Sequence, residues 1–124
     1  MEDLPSLFEL YRRVMVFPPS ESLNDYWQWR FCRNPIDYGV RPAFWVAKRD
    51  GKIIGGMAQV PVILDVEGYP IRAYWAADFM VDPEFRGQGL GKQIFNHCRE
   101  ANQVVISMGY SPNSVTSRVA RSVG

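Results

Sequence analysis

The sequence predicts a single α/β domain of the α+β kind: helices first, then hairpin-linked strands, then a strand joined by a glycine-rich turn to a further helix. Three observations carry this. Apolar residues recur at spacings of three and four between Leu4 and Met15, as on one face of a helix. Asp50-Gly51 and Glu67-Gly68 separate runs rich in β-branched residues, the pattern of tight hairpins. After Val81 the apolar period changes from two to helical across a segment carrying Gly87, Gly89 and Gly91.

The elements follow in order. Leu4, Leu7, Phe8, Leu10, Tyr11, Val14 and Met15 form the stripe of the first helix, with Asp3 and Pro5 at its start and Phe17-Pro18-Pro19 as its stop. Ser20 or Ser22 caps a second helix through Tyr26, Trp27, Trp29, Arg30, Phe31 and Cys32, which Asn34-Pro35 ends. Phe44 to Lys48, Ile53 to Val66 and Ile71 to Val81 are strands. In the last of these, Ala73, Trp75, Ala77 and Phe79 alternate with Tyr74, Ala76, Asp78 and Met80, so both faces are largely apolar, as suits a central strand covered on each side. Leu90, Ile94, Cys98 and Ala101 share the apolar stripe of the next helix. Val104 to Met108 is a short strand, and Asn113 to Val123 a last helix. There is no internal repeat, and 124 residues suit one domain spanning 1–124.

Composition excludes several classes of function. Fourteen basic against thirteen acidic residues leave a net charge of +1, without the basic excess that neutralises nucleic-acid phosphates. The longest apolar runs fall far short of the roughly 20 residues a membrane helix needs. One histidine and two cysteines cannot supply a four-ligand zinc site, so no metal is expected. Cys32 and Cys98 read as reduced thiols of a cytoplasmic protein.

The glycine turn is the segment that points to chemistry. Backbone N–H groups at a helix N-terminus meet an anion with the help of the helix dipole, and side chains obstruct that approach. Gly87, Gly89 and Gly91 remove Cβ atoms where the chain bends, while Arg86 and Lys92 bracket the turn with positive charge. A nucleotide P-loop requires Ser or Thr after its Gly-Lys pair, where this chain has Gln93. The dinucleotide fingerprint fails on its glycine spacing. A turn that merely packs a helix closely on a strand remains the plain alternative.

The segment from Ala77 to Phe95 resembles the central motif of the GNAT superfamily of acyl-coenzyme A N-acyltransferases. Its core, Arg/Gln-x-x-Gly-x-Gly/Ala, is met by Arg86, Gly89 and Gly91 after a strand ending in Val81-Asp82-Pro83-Glu84-Phe85. The order of elements along most of the chain follows the family too, with Ser111-Pro112-Asn113 where the family places an asparagine after its fifth strand. The resemblance implies a central mixed, mostly antiparallel sheet flanked by helices, with the coenzyme A binding core in residues 74–124. It implies acetyl-coenzyme A as cosubstrate, contacted by Phe79, Met80, Val81, Arg86, Gly87, Gln88, Gly89, Leu90, Gly91, Lys92 and Asn113.

In the family a bulge splays the fourth strand, here residues 71–81, from the fifth, and the pantetheine arm enters the gap. An amine, from a small molecule or a peptide, then attacks the thioester directly, with a strand N–H near Met80 or Val81 stabilising the oxyanion. Asp78 is the candidate base, as the only ionisable side chain between Tyr74 and Val81. A carboxylate satisfied by a neighbouring strand or helix is the competing reading. The family's usual acid, a tyrosine seven residues after the asparagine, is Ala120 here, with Tyr110 and Ser111 nearby. His97 reads as a surface residue, Cys98 as core, and Arg30 or Arg33 as groups that could meet an acidic or polar acceptor. The family's opening strand and two closing strands find no counterpart in residues 1–124. That absence leads us to expect an exposed fifth strand pairing two copies into a homodimer. Two functional readings stand: an N-acyltransferase, most simply an N-acetyltransferase, or a non-catalytic acyl-coenzyme A binding or assembly module.

Overall fold

The computed structural model describes residues 2–15, 22–36, 44–101 and 105–107, together with 118, 121 and 122. Helix α1 spans Leu4–Val14, with Pro5 in its first turn, Arg12 and Arg13 in its last, and Leu7, Leu10 and Tyr11 buried. Helix α2 spans Leu23–Trp27, and the Ser22 side chain accepts from the Asp25 N–H at 3.3 Å. Where one continuous α-helix was expected, Gln28–Cys32 widens into a π-turn, closed by the Arg33 N–H on the Gln28 carbonyl at 3.0 Å. The extra residue in that turn re-phases the aromatic run. Trp27 and Phe31 meet with ring centroids 4.7 Å apart and both reach Phe44, while Trp29 is left 66% exposed.

Strands β1 (Phe44–Arg49), β2 (Lys52–Val66), β3 (Tyr69–Val81) and β4 (Val105–Ser107) form one sheet in that order. The first three pair antiparallel; β4 runs parallel to β3, because helix α3 (Leu90–Ala101) carries the chain back between them. Both expected hairpin turns are present, with Asp50 and Gly51 at φ 51° and 74° and Glu67 and Gly68 at 53° and 85°. Positive φ at both central positions matches the right-handed twist of the flanking strands. The second turn is further held by the Asp65 carboxylate, which accepts from the Gly68 N–H at 2.8 Å.

The sheet is covered on both faces. On one, Leu7, Leu10 and Tyr11 of α1 and Trp27 of α2 pack with Phe44, Ile53, Ala58 and Met80. On the other, Ile94, Phe95 and Cys98 of α3 pack on Met57, with Trp45, Ala76 and Phe79 against them. Full burial of a leucine such as Leu7 or Leu10 contributes about 1.5–3 kcal/mol. The predicted stripe of α3 needs one correction: Phe95 is buried, and Ala101, at the end of the helix, is exposed. Of the predicted last helix over Asn113 to Val123, only Arg118, Arg121 and Ser122 fall among the described residues, and these are helical.

Gly55 and Gly56 of β2 set how closely the layers approach. A Cβ on Gly56 would lie 2.6 Å from the Phe44 ring and 2.7 Å from the Trp45 carbonyl oxygen. One on Gly55 would lie 3.0 Å from Ile94 of α3.

The β2–β3 ladder carries a bulge. Gly56 pairs with Met80 and Ala58 with Ala77, so one step more is taken on β3 than on β2, and Asp78 in the bulge has φ 49°. The inserted residue reverses side-chain parity. Ala77 and Met80 both pack on the α1 side, and Ala76 and Phe79 both on the α3 side. The alternation read from sequence, which put Phe79 on the face of Ala77, is therefore wrong beyond Ala77, because a period of two cannot survive an extra residue.

Candidate functional site

Left-handed backbone is rare for a residue with a Cβ, and aspartate is among the few that tolerate it. At φ 49° the bulge turns the Asp78 side chain to the face covered by α1 and α2, where three residues from two segments meet it. The hydroxyls of Tyr11 on α1 and Tyr26 on α2 both donate to its Oδ2 at 2.7 Å. The Arg30 guanidinium stands 3.6 Å from Oδ1. Only 9% of the Asp78 side chain is exposed. Burial, and then the neighbouring Asp78 charge, push the Tyr11 phenol far above its ordinary range, so it is a fixed donor at any physiological pH.

Tyr11 and Tyr26 were not singled out from sequence as functional, since each sits in an apolar helical pattern. The signal that existed was weaker: a buried tyrosine needs an acceptor for its hydroxyl, and Asp78 is the one carboxylate of the strand they cover.

Three residues of β3, Phe79, Met80 and Val81, run from the bulge to the end of the strand, ahead of the glycine turn. Among the described residues the β3–β4 ladder ends at Ala76 and Ser107, short of this stretch. Asp82 locks the end of the strand. Its N–H donates to the Ile54 carbonyl at 2.8 Å, its Oδ1 accepts from the Glu84 N–H at 3.1 Å, and its buried Oδ2 pairs with Arg13 at 3.0 Å and Lys52 at 3.6 Å. A 3-10 turn over Pro83–Phe85 leads on to Arg86, whose Nε donates to the Val81 carbonyl at 3.1 Å.

Gly87 and Gly89 adopt φ 76° and 79°, and a Cβ on either would touch nothing within 4 Å. Glycine is required there for conformation rather than for space, and the open surroundings leave the backbone approachable. The Gly89 carbonyl accepts the Gln93 N–H at 3.1 Å, which opens α3. The N–H groups of Leu90, Gly91 and Lys92 before it have no intrahelical acceptor, no acidic residue lies in that turn, and Lys92 does. Gln88, Gly89 and Lys92 are exposed, with Leu90 and Gly91 partly so. These features fit a polyanionic ligand such as the pyrophosphate of coenzyme A. Asn113, Tyr110, Ser111 and Ala120 lie outside the described residues.

On the α1–α2 face of the sheet a cavity of about 360 Å³ opens between the π-turn and the strands, walled by Arg30, Arg33, Trp29 and Trp75 among others. Arg30 belongs to both the cavity and the Asp78 cluster.

The remaining candidates read as structure. The exposed His97 packs its ring edge-on to Trp45, with centroids 4.6 Å apart. Cys98 is 1% exposed, accepts a hydrogen bond from Gln59, and has its thiol pushed up to about 11 by burial, unsuited to a nucleophile. Among the described residues no group of three or more His, Cys, Asp or Glu side chains is placed to hold a metal ion. No described helix is long and apolar enough to cross a membrane.

Comparison with known families matches residues 41–121 to the acetyltransferase (GNAT) domain. Comparison with curated protein sequences gives no match. Among solved structures, a GCN5-related N-acetyltransferase from Anabaena variabilis is 23% identical, with a TM-score of 0.73 over 100% of this chain. This chain spans only 29% of that protein's length. The ribosomal-protein-S18-alanine N-acetyltransferase from Escherichia coli is 19% identical with a TM-score of 0.67, covering 100% of this chain and 72% of its own. A GNAT family N-acetyltransferase from Escherichia coli, solved in complex with CoA, is 26% identical with a TM-score of 0.64, covering 96% and 63%.

Proposed function

The chain belongs to the GNAT acetyltransferase domain family, and from that premise we propose that it transfers an acyl group, most simply acetyl, from acyl-coenzyme A to an amine by direct attack. The observation that carries this is the continuity of one segment: β3 presents Asp78 in a left-handed bulge, ends three residues on at Val81, and leads through the Pro83–Phe85 turn into the glycine turn.

In this reading the N–H groups opening α3, with Arg86 and Lys92, hold the pyrophosphate, and the backbone of Phe79 to Val81 lies along the pantetheine arm. Bound there, the coenzyme supplies a thioester carbonyl and a thiolate leaving group. A backbone N–H near Met80 or Val81 donates to the carbonyl oxygen as negative charge grows on it. The acceptor amine arrives as an ammonium and must lose a proton before it can attack. Asp78 takes that proton at Oδ1, the oxygen the two tyrosines leave free, while Tyr11 and Tyr26 hold the carboxylate in place. Asn113 completes the coenzyme contacts, and β4, the outermost strand among the described residues, pairs with a second copy to form a homodimer, which light scattering on the concentrated chain would detect.

One observation favours a second reading, a non-catalytic acyl-coenzyme A module. Asp78 Oδ2 is already occupied by two hydroxyl donors, as in a structural tie between helices and sheet. Thermal shift with acetyl-coenzyme A tests the binding common to both readings, and thiol release with a panel of amines separates them. A shift without turnover on any amine selects the module, and no shift with coenzyme A removes both.

A further inference from the structure

We propose that the cavity beside the π-turn is an acceptor subsite for amines that also carry a carboxylate and a flat apolar body, amino acids with aromatic side chains being the simplest such class. The inference rests on the proposed acyl transfer for the role of the amine, and on the cavity alone for the rest.

The lining decides the chemistry. Trp29, Arg30, Arg33, Asn34, Val60 and Trp75 contribute to it, and among the described residues no carboxylate does. The Asn34 amide is spent locally, its Oδ1 accepting from the Ile36 N–H at 2.9 Å and its Nδ2 donating to the Pro61 carbonyl at 3.3 Å. Two guanidiniums therefore set the charge of the wall.

Neither is saturated. Arg30 stacks near the Tyr26 and Phe31 rings, 5.6 and 5.9 Å from their centroids, and its ion pair with Asp78 is long at 3.6 Å. Its buried Nε has no hydrogen-bond partner among the described residues. A guanidinium presents five N–H donors in a planar fork, and with the Arg30 side chain 30% exposed its outward donors are open to a ligand carboxylate on this wall. Arg33 is exposed and has no ion-pair partner among the described residues.

The apolar walls fit the other part of the ligand. Trp29 stands 66% exposed beside a cavity also faced by Trp75 and Val60, and a flat ring between the indoles removes that surface from water. A volume of about 360 Å³ suits a ligand of amino-acid size. Arg30 also pairs with Asp78, so a carboxylate held by Arg30 and Arg33 brings the amino acid next to the proposed base.

Isothermal titration of the 124-residue chain with L-tryptophan and L-phenylalanine, against tryptamine, phenethylamine and the two amino-acid amides, tests the subsite directly. The carboxylates are expected to bind at least about tenfold more tightly than their amides and decarboxylated partners. Arg33→Gln is expected to abolish that preference, with Arg33→Lys restoring part of it and far-UV circular dichroism unchanged in both. Equal binding of carboxylates and amides, or a preference that survives Arg33→Gln, overturns the proposal. Thiol release with the same ligands separates the two levels of inference. Turnover of the decarboxylated amines and the amides at rates equal to the amino acids sinks the subsite while leaving acyl transfer standing. Carboxylate-selective binding without coenzyme A binding or turnover sinks acyl transfer and leaves the subsite.

Discussion

Asp78→Ala removes, in one change, the acceptor shared by two tyrosine hydroxyls and the side chain that tolerates a left-handed backbone. Tyr11 is wholly buried, so its hydroxyl cannot turn to water when Oδ2 disappears. An unsatisfied buried hydroxyl costs about 1–3 kcal/mol, and hydrogen bonds to a charged acceptor contribute about 1.5–3 kcal/mol. Placing alanine at φ 49° adds about 1–2 kcal/mol. Allowing for overlap between these terms, Asp78→Ala should lose about 3–5 kcal/mol, a large share of the roughly 5–15 kcal/mol that holds a domain folded. Asp78→Asn keeps the shape, the left-handed preference and an acceptor oxygen, and should lose about 1 kcal/mol. Urea unfolding followed by tryptophan fluorescence, with Trp27 in the adjoining core as a reporter, measures both. Two variants within about 0.5 kcal/mol of each other would refute the reasoning, because that is the scatter of substitutions that touch nothing. The folded Asp78→Asn protein should also lose about a hundredfold or more in acyl transfer if Asp78 is the base.

Three further predictions follow from other parts of the fold. Gly56→Ala puts a methyl 2.7 Å from the Trp45 carbonyl oxygen, which cannot move without β1, and should destabilise the protein by about 1–3 kcal/mol in thermal unfolding. Gly89→Val places a β-branched residue at φ 79°, and should abolish the melting shift with acetyl-coenzyme A while the far-UV spectrum is retained. The phenol of Tyr11 is raised in the folded state from its ordinary 10.0, chiefly by burial and then by Asp78. Its contribution is thus fully present below pH 10 and is lost above it, as the unfolded chain releases a proton that the folded chain keeps. Stability should fall by up to about 1.4 kcal/mol per pH unit from this group, and Tyr11→Phe should remove that part of the alkaline slope.

Local chemistry was readable before any coordinates. Asp50-Gly51 and Glu67-Gly68 announce their turns because glycine, and at the first turn aspartate, tolerates positive φ, and the stripe of Leu7, Leu10 and Tyr11 follows from helical period alone. The glycine turn is legible for the same reason: conformational freedom at Gly87 and Gly89 and a helix start are encoded within ten residues. The family resemblance drawn from that motif agrees with the domain match over residues 41–121.

Other features were decided only by the tertiary structure, since each depends on residues far apart in the chain. The resemblance implied a bulge in this strand but not its position: β2 and β3 pair out of step between Gly56 and Ala58, and nothing within β3 marks where the extra residue falls, so the alternation misplaced Phe79. Gly55 and Gly56 look like weak points of a strand until Phe44 and Ile94 are seen against them. Asp78 was picked out as the lone acid of its strand, yet its environment belongs to Tyr11, 67 positions away, to Tyr26, 52 away, and to Arg30 of the π-turn. A sequence determines which groups can ionise, bend or donate; the fold determines which of them meet, because charge and hydrogen bonding act over a few ångströms of space and not along the chain.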